Sequence, residues 1–292
     1  MRTRLGRVLS AVLLTSAALL AMSGCAGVDL VSQWPAMAEP TGWLPKVGAC
    51  TGSYGETSYR SGYTPAECAA AHGYETVHVG TFTGDAAALP KPPARGSTAW
   101  QAAWAECDTK TTEYVGAPWR DGKIWIAVSV PSPGNWEGGA RWFRCEAAVT
   151  SDRLGGRITW STTLKGKLAT DDSLKFGCYT VPKEQDKPWA EVACTEAHNA
   201  EYVGTFLSTD SYEDLSKSKD SIHRKCLSLV AGFVGVPDDG MMKYRSGTGY
   251  NLPSAQEWEA GDHGIRCHLY LSKTKTSSLR GAGTKGLPIN YA

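Results

Sequence analysis

Cys68-Ala69-Ala70-Ala71-His72-Gly73-Tyr74-Glu75, which runs on to Val79-Gly80-Thr81-Phe82, returns later in the chain as Cys194-Thr195-Glu196-Ala197-His198-Asn199-Ala200-Glu201 with Val203-Gly204-Thr205-Phe206. A phrase of cysteine, histidine and glutamate repeated at fixed spacing is first read as a repeated scaffold. The match extends outward: Cys107 precedes Tyr114-Val115-Gly116-Ala117-Pro118, and Cys226 precedes Phe233-Val234-Gly235-Val236-Pro237. Pro131-Ser132, Trp136-Glu137, Gly139 and Arg144-Cys145 recur with the same internal spacing as Pro253-Ser254, Trp258-Glu259, Gly261 and Arg266-Cys267. Each copy closes on a similar phrase, Thr162-Thr163-Leu164-Lys165-Gly166 and then Ser277-Ser278-Leu279-Arg280-Gly281. The chain therefore reads as two tandem units, each of about 105 to 125 residues, an ordinary domain size.

The opening residues have the order of an export signal. Arg2, Arg4 and Arg7 form a basic region, Val8 to Leu20 is apolar apart from Ser10, Thr15 and Ser16, and the apolar run is short for a membrane span. Ala21-Met22-Ser23-Gly24-Cys25 resembles the lipobox of bacterial lipoproteins, with Met22 where leucine is usual. That resemblance implies a signal peptide over residues 1–24 and a lipid on Cys25, which would hold the protein on the extracytoplasmic face of the cell membrane. Residues 25–44, with Pro35, Pro40 and Gly42 and no clear period, read as a tether.

Nine cysteines less Cys25 leave eight, four per unit: Cys50, Cys68, Cys107 and Cys145, then Cys178, Cys194, Cys226 and Cys267. Export supplies a compartment in which disulfides persist. Four cysteines allow three pairings, and the short separations favour Cys50–Cys68 and Cys178–Cys194, leaving Cys107–Cys145 and Cys226–Cys267. A metal reading lacks any Cys-x2-Cys or Cys-x4-Cys knuckle, so neither metal nor other cofactor is expected. The 30 basic and 29 acidic residues leave a net charge of +1, which gives no basic field for nucleic acid.

Trp100, Trp104, Cys107 and Thr111 recur at helical spacing, as do Ile222, Cys226, Leu229 and Val230, so each third cysteine is expected on a helix. Strands are expected over Lys123–Val128, Trp142–Val149 and Ile265–Leu271. Gly73 and Asn199 tolerate positive φ readily, which suggests a tight turn there in both copies. Thr64-Pro65 to His72 could instead be a short helix. The fold class is α+β: two tandem units, each a small, mostly antiparallel sheet with one main helix and two disulfides.

His72 with Glu75 and His198 with Glu201 could act as a base with an orienting carboxylate, as an envelope hydrolase or transferase would need. No Gly-x-Ser-x-Gly elbow, zinc helix or phosphate loop accompanies them. The plainer reading has each imidazole bonding the turn backbone or the glutamate beside a disulfide, and retention in both copies favours it. Trp136 and Trp258 could stack on a sugar or anchor a partner, but core packing is the simpler role. Trp100, Trp104, Trp119, Trp125 and Trp142 are surplus in the first copy and mark the place to look for a binding surface. His78, His223 and His263 have no counterpart in the other copy.

Gly48-Ala49-Cys50, Cys194-x3-His198-x2-Glu201-x-Val203-Gly204-Thr205-Phe206, the helical cysteine and Pro-x4-Trp-Glu-x-Gly before Arg-Cys together resemble the septum-formation family. That family occurs in actinobacterial exported and membrane proteins, often as tandem copies. The resemblance covers residues 45–170 and 172–292. It implies association with the division septum and cell envelope, with division proteins or wall polymer as partners, and implies no established reaction. The first copy departs from the phrase by two extra residues between Glu75 and Val79.

The lipobox reading predicts that a fatty-acid analogue fed to cells labels the protein and that Cys25→Ala abolishes the label. Persistent labelling of the variant would refute the anchor.

Overall fold

The computed structural model describes residues 44–290 except 185, 186 and 216, and in each half one long helix is fastened to one sheet by a disulfide. The first helix, Thr98–Val115, begins where Ser97 accepts a hydrogen bond from the Trp100 amide and ends at Gly116, whose φ of 86° suits glycine. The second, Lys219–Val234, ends in the same way at Gly235, φ 80°. Between these ends the buried residues fall three and four apart: Trp100, Ala103, Trp104, Cys107, Thr111 and Val115 in one, Ile222, Cys226, Val230 and Val234 in the other. The other described helices are short.

The first sheet comprises β1 (Cys50–Thr51), β2 (Thr57–Ser58), β3 (Pro65–Ala66), β4 (Tyr74–Thr81), β5 (Ile124–Pro131), β6 (Trp142–Thr150) and β7 (Arg157–Ile158). Its order is β2-β5-β6-β4-β1-β3, with β7 also paired to β6. The second comprises β8 (Cys178–Thr180), β9 (Ala190–Val192), β10 (His198–Leu207), β11 (Gly247–Asn251) and β12 (Gly264–Lys275), in the order β11-β12-β10-β8-β9. Strand for strand this is the order β5-β6-β4-β1-β3 of the first, and the named pairs are antiparallel in both; only β2 joins β5 in parallel. The two extra residues of β4 do not turn its side chains over, because strand faces alternate with period two. Glu75 stands opposite Ala147 and Glu201 opposite Leu269, equivalent positions, while Gly80 and Gly204 lie opposite Phe143 and Cys267, which are two places out of step.

Four disulfides join Cys50–Cys68, Cys107–Cys145, Cys178–Cys194 and Cys226–Cys267. The first and third close loops of 18 and 16 residues, each worth roughly 3 kcal/mol in the chain-entropy account. Two local expectations are corrected. No described residue other than glycine has positive φ, and Gly73 is not among the glycines that do. Gly73 serves close approach instead, since its amide donates to the Thr51 carbonyl (3.1 Å) and an added Cβ would lie 3.3 Å from the Gly52 oxygen. Asn199 lies within β10 and works through its side chain, accepting from the Val181 amide (2.7 Å) and donating to the Val181 carbonyl (3.2 Å). Pro65 and Ala66 form a strand edge rather than a helix start, paired with Thr51 and Cys50.

The described residues pack as one unit, and the tryptophans surplus in the first half make much of the seam. Trp100 donates from Nε1 to the Ala260 carbonyl (3.0 Å) and Gln101 from Nε2 to the Glu259 carbonyl (2.9 Å). Gly261, φ 126°, lies under Trp104, where a Cβ would come within 2.5 Å of the indole. Arg120 links Asp108 of its own half to Asp262 of the other, and Tyr202 donates to Asp121 (2.7 Å). Trp100, Trp104, Trp119 and Trp142 are buried and offer no outer face. Trp136 and Trp258 are also buried, each on a short helix capped by Ser132 or Ser254.

Beyond the helices, the two sheets diverge. Buried Glu146 pairs with Arg144 (3.0 Å) and accepts from Thr76 (3.1 Å); burial pushes its carboxyl up in pKa against the pull of Arg144. The position equivalent to Glu146 is His268, fully buried among the rings of Tyr179, Trp189 and Tyr202, with no hydrogen-bond partner for either nitrogen among the described residues. Burial first, then the charges of Arg153 and Arg266, lower its pKa to about 3. Between that value and the ordinary histidine range the unfolded chain binds a proton that the folded chain refuses, so stability rises with pH there. The protein should lose up to about 1.4 kcal/mol for each pH unit below about 6.5 through this residue. His268→Phe should flatten the fall of the thermal midpoint between pH 6.5 and 4; parallel profiles for the two proteins would contradict this.

Candidate functional site

The repeated polar residues converge on one constellation in each half. Cys50 on β1 stands opposite Glu75 on β4, and Cys178 on β8 opposite Glu201 on β10, so each first cysteine is brought beside the His-x2-Glu pair. In each set one atom from cysteine, histidine and glutamate lies within 4.8 Å of the others: Cys50, His72 and Glu75, and Cys178, His198 and Glu201. Both sets are closed to solvent, the histidines 3% and 1% exposed and the glutamates 0% and 2%.

Most of these donor atoms are already committed. Each of these sulfurs is half of a disulfide and has no thiolate to offer a metal. His72 donates from Nδ1 to the Ala70 carbonyl (2.9 Å) and His198 from Nδ1 to the Glu196 carbonyl (2.8 Å), which fixes the tautomer, since a carbonyl only accepts. His198 Nε2 lies 3.2 Å from Glu201 Oε1. The main chain on either side of His72 also bridges Trp160, with N–H to carbonyl bonds of 2.9 Å in both directions.

The glutamates accept from the phrase that closes each half. Glu75 takes the Thr163 hydroxyl (2.6 Å), the Leu164 amide (2.7 Å) and the Tyr114 hydroxyl at the end of the long helix. Glu201 takes the Ser278 hydroxyl (2.7 Å) and the Leu279 amide (2.8 Å). Recurrence of Thr163-Leu164 as Ser278-Leu279 was the available signal for these partners, but spacing along the chain did not say where they fold back. A sealed carboxylate whose oxygens are taken by hydroxyl and amide donors, beside an imidazole turned onto backbone, is built to hold segments together. It keeps both histidines closed to solvent.

The other candidate lies at the seam. A cavity of about 290 Å³ is lined by Tyr54, Glu56, Arg95, Trp100, Trp104 and Trp125 from the first half and by Ser254, Gln256 and Glu257 from the second, with Arg157 at its edge. Trp125, half-buried, donates from Nε1 to Glu257 Oε1 (3.0 Å) and meets Tyr54 edge-on at 5.2 Å. Glu56 is ion-paired with Arg95. A smaller cavity of about 80 Å³ shares Trp104, Trp125 and Glu257 and reaches Arg153 and Asn251. Of these residues the sequence pointed only to the tryptophans, because the cleft is assembled from parts distant in the chain.

The remaining residues sort readily. Cys25 lies outside the described residues. His78 pairs with Glu106 on the long helix (2.6 Å), His223 with the Thr248 hydroxyl (2.5 Å), and His263 stacks on Trp258 at 4.6 Å.

If the buried carboxylates clamp the closing phrases, Glu201→Gln should cost about 1–3 kcal/mol, because the amide NH2 then faces a donor it cannot satisfy. Urea unfolding measures that loss, and hydrogen exchange should show the Leu279 amide opening ahead of the rest. Unchanged stability and protection would remove the clamp.

A family model described as septum formation matches residues 47–277, one stretch that runs across both halves. Neither a curated protein nor a solved structure matches the chain.

Proposed function

Because the chain belongs to the septum-formation family, we propose that it is a non-catalytic binding or scaffold protein of the cell envelope that contributes to septum formation. A role linked to cell division follows from the family. The scaffold part rests on one observation: the polar residues common to both halves are buried and spent on the fold, His72 and Glu75 in one, His198 and Glu201 in the other. A catalyst would expose at least one of them to its substrate.

The same proposal places the protein on the extracytoplasmic face of the membrane through a lipid on Cys25, with residues 25–44 as tether. No described helix is long and apolar enough to cross a membrane, and in this reading the lipid does the anchoring. A single acyl chain binds only marginally, whereas two or more hold stably. We further propose that the halves descend from a duplicated unit. Equal strand order, equal disulfide pairing and the same glutamate-to-tail bonds support that descent. Division proteins or wall polymer are the partners this reading names.

In dividing cells a fluorescent fusion should concentrate at septa, and crosslinking on intact cells should recover a division protein or wall material. A diffuse membrane distribution with neither captured would sink the septal assignment.

A further inference from the structure

The scaffold reading names division proteins or wall polymer as partners but gives them no binding site, and the cleft between the halves supplies one; the inference rests on that reading for its setting in the envelope. Trp125 is its starting point. It stands opposite Ala148 on β6, and the equivalent ladder position in the second sheet, opposite Tyr270 on β12, is Gly247. The scaffold therefore closes with glycine at that place and does not require an indole. Yet Trp125 remains half-buried at the edge of the cavity, with the Arg157 guanidinium stacked 4.6 Å from its ring centroid. The indole N–H ties Trp125 to Glu257 across the seam, yet part of the ring stays open beside the cavity, and a ligand is the simplest use for that open part.

The charges narrow the class. Glu56 is neutralised by Arg95. Glu257 is saturated by the Trp125 indole N–H and by the Ser254 amide and hydroxyl, both at 2.8 Å. The carboxylates thus have little to offer a cationic ligand, and the lining as a whole balances two acids with two guanidiniums. What the cleft does present is an aromatic wall of Tyr54 and Trp125, planar guanidinium donors and the Gln256 amide. The C–H faces of a pyranose ring pack on such a wall, while its hydroxyl and acetamido groups meet donors and acceptors at the rim. A volume of about 290 Å³ is near the lower limit of small-ligand sites, which suits part of a chain rather than a bulky free molecule.

We propose that this cleft binds a neutral saccharide chain of the N-acetylhexosamine type, with Trp125 as the stacking platform and Arg157 as the rim donor. The test is titration of the full chain with an N-acetylglucosamine tetramer, read by tryptophan fluorescence and by calorimetry, against an uncharged peptide and an acidic and a basic peptide of similar mass. Saturable binding of the tetramer alone is expected, weakened about tenfold or more by Trp125→Ala and by Arg157→Ala. Trp125→Ala could disturb packing, so Arg157→Ala and Gln256→Ala, both at exposed positions, provide the second reading. Leu207→Ala, at an exposed site outside the cleft, should bind as the parent does. No saturable binding, a preference for any peptide, or binding undiminished in both Trp125→Ala and Arg157→Ala would overturn the proposal. Septal localisation is scored separately: a protein that reaches the septum but ignores the tetramer sinks the saccharide site alone, and one that binds the tetramer but is spread over the membrane sinks the septal role alone.

Discussion

A carboxylate shut away from water must find donors for its oxygens or destabilise the chain that carries it, and the two buried glutamates set this requirement at the centre of each half. Glu75 meets it by drawing in Thr163 and Leu164, Glu201 by drawing in Ser278 and Leu279. Those partners lie at the far end of each half, so the bonds bring the last segment across the sheet to the strand that carries the glutamate. The neighbouring histidine and disulfide then fix the approach to that strand. Remove the carboxylate and the sheet loses the tie between its central strand and its tail.

Much of this was present in the residue pattern. Spacings of three and four around Cys107 and Cys226 placed both long helices, and alternating apolar runs placed β5, β6 and β12. Short separations between cysteines gave the loop-closing disulfides. The bend at Gly73 and Asn199 was misjudged because residue type reports what a backbone may do, not what it needs. Glycine at 73 answers crowding by Gly52, and asparagine at 199 acts as a side-chain clip on Val181. Long-range closure bonds were likewise hidden, since nothing local to Leu164 or Leu279 encodes where each folds back.

The two halves share an architecture but divide the labour at their seam. The first supplies bulky indoles, Trp100 and Trp104, and the second supplies the small or backbone features that receive them, Gly261 and the Ala260 carbonyl. An excess of tryptophan in the first half looked like an outward surface, yet most of it faces the second half. The polar pair on the sheet differs as well: where the first half has Arg144 with Glu146 the second has Arg266 with His268, and Arg266 reaches the Arg120 carbonyl (3.3 Å) in the other half. The differences between the halves thus lie largely where they fit together, with the cleft beside Trp125 formed where that fit stays open.

The glutamate-to-tail bonds also bear on biogenesis. Glu201 and Leu279 are 78 residues apart, and Glu75 and Leu164 are 89. A nascent chain emerging from its N-terminus presents each glutamate long before the donors that satisfy it, and contacts so distant in sequence form late. Each half must therefore remain an open intermediate until its closing phrase has been synthesised. In the second half that phrase, Ser278-Leu279, follows Cys267 in the chain, so the bonds to Glu201, rather than the last disulfide, complete the fold of that half.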